Sequence, residues 1–257
     1  MRLFYTSRVI SILAAMGVML SSSVRAQTLS PSEIINRMEQ AQTAARKRAT
    51  PYTVTREYTL AGEDAQKTKS EVVAEVNFAP PSHNDYTVRT VGGSNRGETI
   101  VRKVLEHESK MASQAELYEV SSRNYDFVLL GREMLDSHDC YVLQLKPKRQ
   151  LSELVRGRAW VNADDFRIRR IEGLTAESPS WWLKNLHVTI NYDAVNGIWL
   201  QHDTKAVADV RFAGRQVLTV REVDVRTGDV NSQNRLPGRT RTNSHSTLAD
   251  SAAWVPR

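Results

Sequence analysis

The chain has a single cysteine, Cys140. One thiol forms no internal disulfide and supplies no Cys–Cys metal cluster. In an apolar strand it reads as a small core residue. After residue 20 no apolar run approaches the length needed to span a bilayer. A Gly-x-Ser-x-Gly elbow and a Gly-rich phosphate loop are both missing. The histidines are His83, His107, His138, His187, His202 and His245, and no two have the i,i+4 spacing of a helical zinc site. His138-Asp139-Cys140 reads as part of a hairpin turn, and a catalytic Cys–His pair is not expected there. Asp164-Asp165 reads as an acidic turn rather than a cation site. The expectation is no enzyme, no catalytic residue, no metal and no cofactor.

Charge of one sign is also scarce where it would matter. The formal net charge is +6, but residues 1–26 hold three Arg and no acid, and residues 229–257 hold four Arg against two Asp. The stretch between them is close to neutral. No basic groove interleaved with aromatics is visible, so nucleic acid is not an expected partner.

The first residues carry the pattern of a secretory signal peptide. Arg2 and Arg8 precede the apolar run Val9 to Leu20, and Val24-Arg25-Ala26 offers a cut before Gln27. No cysteine lies near that cut, so a lipobox is missing. The expected organisation is a signal peptide over 1–26, one domain over 27–228 and a disordered tail over 229–257. That tail is rich in Asn, Ser, Thr, Arg and Gly, has no period, and ends near Trp254. The expected location is the periplasm.

Ser30-Pro31-Ser32-Glu33 is a capping box opening a helix over 30–48, with Ile34, Met38, Ala41 and Ala45 on one face and Pro51 as its stop. A second helix is predicted over 98–115. There Val101, Val104, Leu105, Glu108, Met111 and Ala112 share a face. Elsewhere the period is two. Tyr52, Val54, Tyr58 and Leu60 alternate with polar residues, as do Val72, Ala74, Val76 and Phe78, then Leu143 and Leu145, then Val188 and Ile190. Turns are read at Gly62-Glu63-Asp64, Asn196-Gly197 and Gly214-Arg215. Trp199 to Asp203 and Ala206 to Phe212 read as two further strands, and ten or eleven antiparallel strands and two helices result.

So many strands must curl. A sheet with one apolar face curls around it, and the two amphipathic helices cover the concave side. The predicted class is α+β, mainly antiparallel β: a curved, incomplete barrel of about ten or eleven strands with two covering helices. Its hollow is either filled by side chains or holds an apolar guest.

The order of elements, with Tyr125-Asp126-Phe127-Val128-Leu129-Leu130-Gly131, Cys140-Tyr141-Val142-Leu143-Gln144-Leu145-Lys146-Pro147-Lys148 and the run from Gly157 through Trp160 and Asp164-Asp165 to Gly173, resembles the LolA-like superfamily of periplasmic lipoprotein carriers and outer-membrane lipoprotein-sorting proteins. The resemblance spans roughly residues 30–226. It implies an incomplete barrel whose apolar hollow shields acyl chains. A sixteen-carbon chain buried there gains on the order of 10 kcal/mol. The implied partners are a lipid or acylated lipoprotein and membrane transport components, with the chain acting as a monomer. The family also includes envelope-stress regulators. The alternative is therefore a regulatory or scaffold module with a filled core and a protein partner. Alternation nominates Val72, Val76, Phe78, Leu143, Leu145, Val188 and Ile190 for the hollow, with Val104 and Leu105 from the second helix. Ser178-Pro179-Ser180-Trp181-Trp182-Leu183 sets two tryptophans at a loop tip, so Trp181 and Trp182 are the candidate contact with a membrane or partner.

Overall fold

A computed structural model describes residues 29–62, 68–81, 83–211 and 213–227. The expected signal peptide, the expected tail with Trp254, and Glu63-Asp64 of the first expected turn lie outside the described residues. In chain order the elements are α1 (Pro31–Lys47), β1 (Tyr52–Ala61), β2 (Thr68–Ala79), β3 (His83–Gly93), α2 (Asn95–Ser113), α3 (Ala115–Tyr118), β4 (Tyr125–Leu135), β5 (His138–Pro147), β6 (Val155–Asn162), β7 (Ile168–Thr175), β8 (Leu183–Val195), β9 (Ile198–Val210) and β10 (Gly214–Thr227).

The strands form one antiparallel sheet in the order β3-β2-β1-β10-β9-β8-β7-β6-β5-β4. Its outer members, β3 and β4, do not pair, so the barrel stays open. Most neighbours are sequential. The exception is β1 beside β10, which joins the first three strands to the end of the chain.

Local chemistry explains the elements. Ser30 caps α1, accepting from the Glu33 N–H at 3.2 Å. Glu33 pairs with Arg37 instead of reaching back to the cap. The second helix begins earlier than expected because Ser94 is its cap, accepting from the Gly97 N–H at 3.2 Å. The short α3 was not anticipated. One predicted break is corrected too. Residues 199–203 and 206–212 read as two strands, but β9 runs unbroken, since Thr204 and Lys205 continue the inward–outward alternation. Gly214 and Arg215, expected as a turn, are the first ladder residues of β10, opposite Val210 and Asp209. Asn196 and Gly197 have φ of 51° and 80°, the left-handed pair that a tight hairpin requires.

Both helices lie on one face of the sheet. Register carries this across the strands. Leu143, Ala159, Ile171, Ile190, Thr204, Val220, Tyr58 and Val72 are successive cross-strand partners, so all point the same way. A neighbouring row runs from Leu145 through Gly157, Gly173, Val188, Ala206 and Leu218 to Leu60. At its narrow point a Cβ on Gly157 would lie 1.9 Å from the Glu172 carbonyl oxygen. Only glycine lets these two backbones meet.

Candidate functional site

The inner face carries two apolar clusters rather than one. Under α1, Ile34 and Met38 pack with Leu143, Leu145, Ala159, Val161 and Ile171. Under α2, Val101 and Leu105 pack with Val54, Tyr58, Val72, Ala74, Val76 and Val220. The predicted hollow residues are thus divided. Val72, Val76, Val104 and Leu105 belong to the second cluster, while Leu143 and Leu145 belong to the first, with Val188 and Ile190 packed at its margin. Phe78 stands at the end of β2, its ring 5.0 Å from that of Tyr52. Val72, Leu143 and Leu145 are wholly enclosed by protein atoms.

Between the two buried cores lies a strip of residues that belong to neither core. Val188 and Ile190 of β8, Ala206 of β9 and Leu218 of β10 are only half-buried there. They form the middle of the two cross-strand rows. This strip, flanked by α1 and α2, is the candidate binding surface.

One end of the strip is polar. Two residues beyond Tyr58 and Val220, Arg56 and Glu222 face each other as cross-strand partners. Arg56 Nη1 donates to Glu108 Oε2 of α2 at 3.0 Å, and the Tyr58 hydroxyl donates to the same oxygen at 3.3 Å. Arg56 Nη2 is 3.9 Å from Glu222 Oε1, and His202 Nδ1 is 3.8 Å from Glu222 Oε2. Both are ion-pair separations beyond hydrogen-bond reach. The Glu222 side chain is 3% exposed, and neither carboxylate oxygen has a hydrogen-bond partner. Burial pushes its pKa up to about 7, against the pull of Arg56. Burial likewise raises the Tyr58 hydroxyl, and Tyr192, also near Arg56, is pushed up to about 12.

The helices are fastened by few polar contacts. Gln42 of α1 donates to the Val120 carbonyl at 2.9 Å, and Arg46 pairs with Glu119. From α2, Ser109 donates to the Asn84 carbonyl. Asn84 Oδ1 is itself buried without a partner.

The tryptophan loop separates into two roles. Trp181 is 72% exposed, with the Arg211 guanidinium 5.4 Å from its ring centre. Trp182 is half-buried, and its carbonyl accepts from the Arg211 N–H at 2.8 Å. Trp160, by contrast, is buried on the outer face with Cys140 and Val142, donating from Nε1 to Glu133 at 3.0 Å. Asp164-Asp165 is a turn, in which Asp165 Oδ1 accepts from the Arg167 N–H at 3.0 Å. No cluster of three potential metal ligands occurs among the described residues, and no described helix is long and apolar enough to cross a membrane.

A family model described only as an uncharacterized protein matches residues 107–232. No curated protein matches the sequence. Solved structures do. The chain is similar to a DUF1329 family protein from Desulfovibrio piger, with 15% identity over 78% of this chain and 93% of that one and a TM-score of 0.41. It is similar to a domain from Vibrio parahaemolyticus assigned to outer membrane lipoprotein sorting, with 16% identity, coverage of 77% and 94%, and a TM-score of 0.38. It is similar to a LolA superfamily protein from Nitrosomonas europaea, with 13% identity, coverage of 80% and 97%, and a TM-score of 0.36. The superfamily that the sequence resembles is thus among the similar structures.

Sequence reasoning missed the polar end of the strip. Its signals were present: Arg56 fills the inward slot between Val54 and Tyr58, Glu222 the slot after Val220, and Glu108 interrupts the apolar face of α2. Each is a charge where the period demands an apolar residue.

Proposed function

We propose that this chain is a periplasmic lipid- or lipoprotein-binding carrier. The observation that carries the reading is the half-buried apolar strip between α1 and α2. It continues the enclosed cores on both sides through shared cross-strand rows. An acyl chain laid on Val188, Ile190, Ala206 and Leu218 removes apolar surface from water on both partners, at about 25 cal/mol per Å². Outward movement of either helix lengthens the strip into its own cluster and admits a longer chain. The Trp181 loop docks the carrier at the membrane that donates or receives the cargo. No residue pattern in this reading performs chemistry.

The test is uptake of a fluorescent fatty acid by detergent-free protein. Ala206→Trp fills the strip without removing core atoms and should abolish uptake. Thr189→Trp, on the opposite face of β8, should leave it intact. Equal behaviour of the two variants would contradict the reading.

A second reading, an envelope regulatory or scaffold module, is favoured by the edge strand β4. Val128 and Leu130 are exposed there, and one edge of the strand has no partner in the sheet. Failure of fatty-acid uptake with retained binding of an envelope protein would select it.

A further inference from the structure

Glu222 presents an unsolved electrostatic problem. Two carboxylates, Glu108 and Glu222, flank one guanidinium, that of Arg56. Arg56 is satisfied by Glu108 at 3.0 Å. Glu222 is left 3.9 Å away with both oxygens buried and unpartnered. An unmade hydrogen bond to a buried charged group is costly. The groups that face this pocket are Tyr52 and Tyr58 from β1, Glu108 from α2, Tyr192 from β8 and His202 from β9. None supplies the missing donor. With Glu222 ionised, one guanidinium stands against two carboxylates, one positive charge short.

On the β9 side His202, 3.8 Å from the Glu222 carboxylate, is half-exposed. Along β10, Glu222 follows Leu218 and Val220 on the same inward face. At about 3.4 Å per residue, the carboxylate lies roughly 14 Å along the strand from Leu218. A long alkyl chain covers that span.

Building on the carrier reading, we propose that Glu222, with Arg56 and Glu108 beside it, receives the primary ammonium headgroup of an amphiphile whose chain lies on the Val188–Ile190–Ala206–Leu218 strip. An ammonium supplies three N–H donors and the absent charge. A carboxylate or phosphate headgroup adds a further negative charge beside Glu222, since Arg56 is already committed to Glu108. A hydroxyl supplies a donor without the charge and ranks between them. Ammonium binding also holds Glu222 ionised, so the complex releases protons near neutral pH.

The experiment displaces diphenylhexatriene, an uncharged hydrocarbon probe, from detergent-free protein near neutral pH. The competitors are tetradecylamine, tetradecanol and tetradecanoate. The amine should displace the probe at about tenfold lower concentration than the acid, equivalent to about 1.4 kcal/mol. Glu222→Gln should bring the two within about threefold of each other. Calorimetry in two buffers of different ionisation heat should detect proton release with the amine, and none in Glu222→Gln. Probe uptake with equal displacement by amine and acid overturns this inference alone, as does an amine preference that survives in folded Glu222→Gln. Absence of probe uptake overturns the carrier reading and this inference with it. If Glu222→Gln does not fold, the amine-to-acid ratio and the proton release of the unmodified protein still decide.

Discussion

Arg56 and Glu222 are cross-strand partners on the inner face of β1 and β10, yet they stand 3.9 Å apart and share no hydrogen bond. Arg56 bonds instead to Glu108 of α2. The charge left over is Glu222, and its protonation is tied to folding. Its pKa rises from an ordinary 4.5 to about 7 in the folded protein because burial disfavours the carboxylate. An acid whose folded pKa is raised binds its proton more tightly when folded. Its contribution to stability is complete below about pH 4.5 and is lost as pH rises through about 7. The difference in unfolding free energy between the unmodified protein and Glu222→Gln should therefore change by about 3 kcal/mol across that window and flatten above it. Urea titrations of both proteins at several pH values measure this. A parallel pair of stability curves would contradict it.

Removing the cation should be worse than removing either anion alone. Arg56→Met leaves Glu108 and Glu222 facing one another without compensation. It should cost about 3 kcal/mol in urea unfolding, the lower end for breaking a buried pair, because Glu108 is partly exposed. The double variant Arg56→Met/Glu222→Gln should cost less than the sum of the singles. Additive losses would mean that the two side chains do not interact.

The close approach of β6 and β7 is a second structural claim open to test. A Cβ at Gly157 would lie 1.9 Å from the Glu172 carbonyl oxygen and 2.6 Å from Gly173 Cα, both backbone atoms that cannot swing aside. Gly157→Ala should destabilise the protein by about 2–3 kcal/mol, within the range for overpacking. A change below about 0.5 kcal/mol in thermal or urea unfolding would show that these backbones do not meet so closely.

Much of the sheet was legible because alternation of apolar and polar residues states which face is buried. The inward-facing positions of Leu143, Val188 and Val72 follow from that period alone. Four features resisted. The division of the inner face into two clusters depends on which strands lie under which helix, and β1 pairing with β10 is a contact between distant parts of the chain. The continuity of β9 was obscured by Thr204 and Lys205, polar residues that keep the strand's period in a half-buried place. The polar end of the strip was visible only as three charges out of phase, Arg56, Glu108 and Glu222. Their meeting is a product of the fold.

Trp181 offers a separate prediction. Its ring is 72% exposed and flanked by Arg211, so its loss should leave stability within about 0.5 kcal/mol. Trp181→Ser should weaken partitioning onto vesicles of anionic phospholipid by about tenfold, read by co-sedimentation. Partitioning equal to that of the unmodified protein would remove the loop from membrane docking.

The carrier account is tested most directly by native mass spectrometry of the protein purified from an envelope extract without detergent, followed by solvent extraction. A co-purifying acyl species, released by solvent and absent from Ala206→Trp, is the predicted result. A clean apo mass, together with no uptake of added fatty acid or alkylamine, would contradict it and leave a half-barrel with a filled core whose partner is a protein.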